Sequence, residues 1–240
     1  MLELANPKRF MEFSYDLLPW VSLAAAALLA LGFYLALFVV PPDYRQGETV
    51  RIMFIHVPAA WSAMLVYAAM VLCSVVGLVH RHPLADVAAK TAAPLGALFT
   101  ALALITGSLW GKPMWGTFWV WDARLTSFLI LLLIYLAYIA LWNAIEDEAR
   151  AARAAAILAI VGAVNLPIIE FSVDWWQTLH QGESIIREGG PLIAPVFLWP
   201  LAIMAFGYTL LFVALWMLRI RTEILIRRAR ALMLMGERHE

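Results

Sequence analysis

The stretch LTSFLILLLIYLAYIALW, residues 125–142, runs for eighteen residues without one charged side chain. A helix needs about 20 mainly apolar residues to cross a bilayer core about 30 Å thick, so this stretch predicts a membrane-spanning helix. Apolar stretches of similar length lie on both sides of it. Together they predict six spans, at Leu17–Val40, Phe54–Val79, Thr91–Trp110, Leu125–Trp142, Ala154–Ser172 and Pro195–Leu218.

The composition excludes most other classes of protein. Of 240 residues, 64% are apolar and 14% are charged, whereas soluble domains have roughly 45–50% and about 25%. The single cysteine, Cys73, rules out a disulfide within the chain, and no C-x-x-C-H motif is present to attach a c-type haem covalently. The 17 Lys and Arg balance the 17 Asp and Glu, so no net charge attracts nucleic acid. Since backbones in lipid must satisfy their own hydrogen bonds, we expect an all-α membrane protein in which residues 1–240 form a single six-helix domain.

The basic residues predict the orientation of the bundle. Twelve of the 17 lie at the termini and in the second and fourth loops, and five lie in the first, third and fifth loops. An excess of Lys and Arg marks the cytoplasmic side, so we expect both termini inside. Residues 219–240 then form a cytoplasmic basic tail, interpreted as a helix resting on anionic head groups of membrane lipid or, alternatively, as a docking site for a soluble partner.

The third loop is unusually aromatic. It contains WGTFWVWD at residues 115–122, with four aromatic residues in seven positions. If this segment is helical, Trp115 and Trp119 share a face; if it is extended, Trp119 and Trp121 do. Eight of the 11 tryptophans fall on the outer side in this topology, whereas an interfacial belt alone predicts an even division. We therefore favour an aromatic platform for a planar, apolar ligand over a membrane belt.

Two histidines lie on the same side as this loop. His56 begins the second span, where Pro58 suits the first turn of a helix, and His180 lies in the fifth loop. Successive spans cross the membrane in opposite directions, so loops one, three and five share a side. This placement therefore does not depend on the orientation of the bundle. Two neutral imidazoles, one on each face of a flat ring, are a known way to bind haem iron. The alternative for each alone is a hydrogen-bonded residue at the membrane interface.

Three charged residues lie close to these groups in the sequence. Asp122 directly precedes the fourth span and is predicted to cap that helix. Arg51 and Arg124 have two open interpretations: they pair with carboxylates of a ligand, such as haem propionates, or they anchor helix ends at the interface.

The segment from Trp115 to Asp122 resembles the tryptophan-rich "WWD" signature of the haem-handling membrane proteins of cytochrome c biogenesis. The stretches IMFIHVPAAW, residues 52–61, and FSVDWWQTLHQG, residues 171–182, together with the six-span layout, resemble the CcmC (haem exporter protein C) family in particular. Phe118 departs from the pattern, since many members have Trp there, so Phe118 is left out of the site.

The resemblance implies a haem-transfer protein of the bacterial inner membrane rather than an enzyme. In this family His56 and His180 correspond to axial ligands of non-covalently bound haem b, and the periplasmic tryptophan loop that holds it corresponds to Trp115, Gly116, Trp119, Trp121 and Asp122. Members of this family present the haem to the chaperone CcmE for covalent loading. The implied partners are the small membrane protein CcmD and the ABC-transporter subunits CcmA and CcmB. The chain lacks a Walker motif, consistent with ATP hydrolysis in a partner subunit.

Two other functions stay open on the residues alone. One is a b-type electron-transfer subunit, which would normally need a second haem or a quinone site, and no further outer histidine is available to build one. The other is the membrane subunit of a haem or solute transporter. The predicted spans carry hardly any charged residues, so the sequence shows no side chains that would line a polar pathway across the membrane.

Overall fold

A computed structural model describes residues 6–180, 182, 184–185 and 188–236. Within these residues the secondary structure is helical, apart from one isolated β-bridge between Asp43 and Gly47. The helices are α1 (Pro7–Tyr34), extended by a π-helix (Leu35–Val39); α2 (Met53–His80), preceded by a 3-10 helix (Glu48–Ile52); α3 (Pro83–Trp115); α4 (Ala123–Ala144); α5 (Glu148–Gly162); α6 (Asn165–Trp175); and α7 (Pro195–Gly236).

Six helical segments are long and apolar enough to cross a membrane, which confirms the predicted number and positions of the spans. Successive spans alternate in direction, so residues 40–52 and 116–122 lie on one side of the bundle, together with the described residues after α6 (176–180, 182, 184–185 and 188–194). We call this the tryptophan side. Both ends of the described chain, together with residues 81–82 and 145–147, lie on the other, which we call the terminal side.

Polar residues cap the starts of several helices, and the cap at Asp122 is the one that the sequence predicts. The Asn6 side chain accepts a hydrogen bond from the Lys8 amide at 2.9 Å at the start of α1. Asp122 caps α4 in the same way, through the Leu125 amide at 2.8 Å. Asp147 caps α5 through the amide of Arg150 at 2.7 Å. Such caps satisfy amides that have no partner inside the helix.

The fifth span differs from the prediction, which has one continuous helix over Ala154–Ser172. The structure breaks it into α5 and α6 at residues 163–164. Pro167 has no amide hydrogen for the carbonyl of residue 163, which accounts for the break. The Asn165 side chain, which is buried here, donates to the Ser127 carbonyl of α4 at 2.9 Å and so ties the broken span to its neighbour.

Small residues and tyrosines build the centre of the bundle. Ala59 and Ala63 of α2 and Ala92 and Ala93 of α3 are fully buried, and such small side chains let helices approach closely in a membrane. The Tyr135 hydroxyl donates to the Ala63 carbonyl at 2.8 Å, so a buried polar group joins α4 to α2.

The predicted basic tail is not a separate element, because α7 continues through it to Gly236. Its first part packs along the bundle: Arg221 donates to the Met11 carbonyl of α1 at 2.8 Å, and Glu223 pairs with Lys90 of α3 at 2.7 Å. The first part of the tail is therefore held by α1 and α3. Residues 237–240 of the tail lie outside the described residues.

Candidate functional site

His56 lies in the second turn of α2, on the tryptophan side. Its Nδ1 is 2.9 Å from the Ala103 carbonyl oxygen and 3.2 Å from the Thr106 hydroxyl, both on α3. A carbonyl oxygen only accepts, so Nδ1 carries the ring hydrogen and donates it. The lone pair of the neutral imidazole is therefore on Nε2.

The tryptophan-side end of α3 fits closely around this ring. A Cβ atom added at Gly107 would lie 2.8 Å from His56 Cε1, so the space beside the imidazole exists only because residue 107 has no side chain. The Trp110 ring meets the imidazole edge-on, with the ring centroids 5.7 Å apart. Trp110 Nε1 in turn donates to Gln46 Oε1 at 3.1 Å, so the first loop is held against the end of α3 that contacts His56.

The start of α2 differs from the expectation. A 3-10 helix leads into α2 from Glu48, so Pro58 is the sixth residue of α2 rather than part of its first turn. Pro58 is fully buried, and its ring leaves the carbonyl of Phe54 without its usual helical donor.

His180 lies beyond the end of α6, in irregular backbone. Its Nδ1 is 3.2 Å from Oδ2 of Asp122, while Oδ1 of the same carboxylate caps α4. The His180 side chain is 20% exposed and that of Asp122 is 8% exposed, so the pair is largely shielded from solvent. A carboxylate also accepts only, so here again Nδ1 donates and Nε2 keeps the lone pair.

The surroundings of His180 favour its neutral form. Burial lowers the pKa of His180 below its usual 6.5, the carboxylate of Asp122 opposes that shift, and the charge of Arg124 adds to it. Burial is the dominant cause because it removes the water that stabilises an imidazolium. A neutral imidazole is the form that binds a metal.

Trp115 closes the site beside His180. It is the last residue of α3, and its ring meets the imidazole of His180 edge-on with centroids 4.8 Å apart. The next residue, Gly116, ends the helix at a φ of 78°, a conformation that favours glycine. Gly116 therefore sets the direction in which the loop leaves α3.

The rest of the tryptophan loop is extended, so the second of the two predicted arrangements is found. Trp119 and Trp121 pack edge to face, with centroids 5.4 Å apart. Trp121 is 75% exposed, whereas Trp119 is partly buried. The Nε1 of Trp119 is fully buried and has no acceptor in the described part of the chain.

Both arginines make contacts with the protein itself. Arg124 donates from Nη2 to the carbonyls of Ile169 at 3.3 Å and Glu170 at 3.1 Å, which ties α4 to α6 close to His180. Arg51 pairs with Glu48 at 2.5 Å and also donates to the carbonyl of Ala36 at the end of α1. These contacts match the anchoring interpretation.

The sequence did not indicate the partners of His56. Ala103, Thr106 and Gly107 lie inside the third predicted span, and their only sequence signal is an adjacent Thr and Gly in an otherwise apolar helix. Gln46, which fixes Trp110, lies in a short turn of the first loop. Among the predicted site residues, the structure brings His180 into contact with Trp115 and Asp122 and packs Trp119 against Trp121, all on the tryptophan side.

The chain is similar to a known group of proteins over nearly its whole length. The family model described as "Heme exporter protein C" matches residues 1–235. The heme exporter protein C of Bradyrhizobium diazoefficiens is 59% identical over 235 residues, which is 98% of this chain and 89% of the relative. The protein of that name from Paracoccus denitrificans is 48% identical over 96% of both chains. That of Escherichia coli K12 is 46% identical over 95% of this chain and 92% of the relative.

Proposed function

The chain belongs to the heme exporter protein C family, and from that premise we propose that it binds haem b non-covalently at its tryptophan side and presents it to the haem chaperone CcmE. In this proposal the axial ligands of the iron are His56 and His180. The protein serves cytochrome c maturation as a multi-pass membrane subunit and does not catalyse a reaction.

The observation that carries the proposal is the matched chemistry of the two imidazoles. His56 and His180 lie 124 positions apart in the sequence, yet each donates Nδ1–H to a group that only accepts. In its neutral form, each ring therefore has its lone pair on Nε2. A partner on the second ring nitrogen is what orients histidine ligands in metal sites.

Two further features support a flat, apolar ligand here. The His56 ring packs against Gly107 and is held in one position, and the aromatic rings of Trp110 and Trp115 stand beside the two imidazoles. The buried Nε1 of Trp119 is a hydrogen-bond donor for a polar edge of such a ligand. Haem, when bound, supplies an iron that accepts two axial nitrogens.

Different residues of the chain would bind the haem and present it to the chaperone. His56 and Gly107 form the inner part of the site on helices, whereas Trp121 is exposed and offers an apolar contact to a chaperone. Arg124 and Arg51 hold helix ends in place, and the positive charge of Arg124 beside His180 suits a haem propionate.

The proposal includes the orientation and the partners. The excess of Lys and Arg at the terminal side supports a cytoplasmic location for both termini, which places the tryptophan side in the periplasm of a bacterial inner membrane. CcmD, CcmA and CcmB are the proposed partners within the haem exporter complex, with ATP hydrolysis in a partner subunit.

Absorption spectroscopy of the detergent-purified protein tests the axial ligands. Wild type should show a low-spin b-type spectrum, and His56→Gly and His180→Gly should each lose it. His80→Gly, at the terminal end of α2, is the matched control and should keep it. Added imidazole should restore the low-spin bands in the two site variants, which separates a lost ligand from a lost fold. Unchanged spectra in both site variants would show that the axial assignment is wrong.

A further inference from the structure

A groove between the start of α1 and the later part of α7 opens on the terminal side, far from the histidines. Its volume is about 360 Å³. Its lining combines both signs of charge: Lys8, Glu12, Tyr15 and Asp16 from α1, with Arg221 and Arg228 from α7.

The charges form two facing stripes. Lys8, Glu12 and Asp16 are spaced four residues apart along one face of α1, and Arg221 and Arg228 are spaced seven apart along one face of α7. Among the described residues, the side chains of Lys8, Glu12, Asp16 and Arg228 have no ion-pair partner within 4.0 Å. The groove therefore holds unpaired carboxylates and unpaired cations side by side.

Arg221 is fixed at the centre of this arrangement. Its Nη1 donates to the Met11 carbonyl and to the Ser14 hydroxyl, both at 2.8 Å, and its guanidinium lies 5.8 Å from the centroid of the Tyr15 ring. A guanidinium held in this way still has further N–H groups to offer a phosphate.

The groove lies at the level of lipid head groups. The apolar part of α1 begins at Leu17 and that of α7 ends at Leu218. At about 1.5 Å per helical residue, Asp16, Arg221 and Glu12 lie about 1.5, 4.5 and 7.5 Å beyond the hydrocarbon. The head-group region on each side of a bilayer is about 5–7.5 Å thick.

We propose that this groove binds the head group of phosphatidylethanolamine in the leaflet at the terminal side. The phosphate lies against Arg221, and the ammonium lies between Glu12 and Asp16. A primary ammonium has three N–H donors for these carboxylates, whereas the quaternary ammonium of phosphatidylcholine has none. Phosphatidylglycerol has no ammonium, so its head group would leave the carboxylates of Glu12 and Asp16 without a partner.

Native mass spectrometry of the purified full-length protein tests this site. Phosphatidylethanolamine, phosphatidylglycerol and phosphatidylcholine with identical acyl chains are added in equal amounts. We expect wild type to retain phosphatidylethanolamine about tenfold better than either competitor. In the double variant Glu12→Gln/Asp16→Asn this preference should disappear, with phosphatidylglycerol now retained best because the cations remain.

The matched control is the double variant Glu146→Gln/Asp147→Asn, which removes two exposed carboxylates from the same side of the bundle outside the groove. It should keep the wild-type preference, because Asn at residue 147 also caps a helix. Equal retention of the three lipids by wild type would overturn the proposal. So would an unchanged preference in Glu12→Gln/Asp16→Asn.

Discussion

His56 and His180 are oriented by different kinds of partner. His56 belongs to a helix and donates to the main chain of another helix, through the carbonyl of Ala103. His180 belongs to irregular backbone and donates to a side chain, the carboxylate of Asp122. The first partner is neutral and moves only if α3 moves. The second is charged, and it also caps α4.

This difference predicts two different kinds of sensitivity. The position of His56 depends on the close packing of α2 against α3, so steric changes should affect it most. His180 depends on one carboxylate, so a change of charge should affect its electronic character while its position is kept. A hydrogen bond to a carboxylate makes an imidazole a stronger donor to a metal than a bond to a carbonyl does.

The largest effect should come from Gly107→Ala. The new Cβ would lie 2.8 Å from His56 Cε1, so the imidazole has to move. We expect haem affinity to fall about tenfold to hundredfold, as for other changes next to a metal ligand. Gly182→Ala is the control, since a Cβ there meets nothing within 4 Å. Haem titration followed by absorption measures both, and equal affinities would show that α3 does not position His56.

The second largest effect should be on the capture of the chaperone by the tryptophan loop. Trp121→Ala removes an indole that is 75% exposed, and we expect capture of CcmE to weaken about thirtyfold, as for an interface residue worth about 2 kcal/mol. Trp20→Ala is a matched control, because Trp20 is 71% exposed but lies on α1. A pull-down with purified chaperone measures the difference. Equal recovery from both variants would contradict a docking role for the loop.

Asp122→Asn should have a smaller and purely electronic effect. Asn keeps the cap on α4 but removes the negative charge beside His180. The weaker donor should stabilise ferric haem less, so the reduction potential should rise, by about 59 mV for each tenfold change in relative ferric affinity. Asp147→Asn, an equivalent change at the cap of α5, should leave the potential unchanged. Redox titration distinguishes them, and a potential that falls in Asp122→Asn would refute the argument.

Much of this comparison could be predicted from the sequence, because it depends on hydrophobic length and on parity. Spans of about 20 residues are set by the thickness of the bilayer, and parity places His56 and His180 on one side. The cap at Asp122 follows from its position directly before an apolar stretch. An extended loop that pairs Trp119 with Trp121 was one of two stated alternatives.

The partners of the histidines could not be predicted, for physical reasons. Every residue has a carbonyl, so nothing in the sequence marks that of Ala103, 47 positions after His56, as the acceptor. Only the packing of α2 on α3 selects it. The bond from His180 to Asp122 joins two loops 58 positions apart, and loop backbone conformation decides which polar groups meet. The cap that Asp122 forms on α4 could thus be predicted, whereas its hydrogen bond from His180 could not.

The smallest effect is the proton equilibrium of His180 in the haem-free protein. Burial holds its pKa below 6.5, so the folded chain resists protonation more than the unfolded chain does. The neutral ring should persist as the pH falls through 6.5, and below that value the free energy of unfolding should decrease, because the unfolded state binds more protons. Histidine carbon NMR on selectively labelled protein, with the signal assigned by His180→Gln, measures the midpoint. Asp122→Asn should lower it further, because the carboxylate opposes the effect of burial. A midpoint above 6.5 in wild type would mean that the carboxylate outweighs burial and that His180 carries a charge at mildly acidic pH.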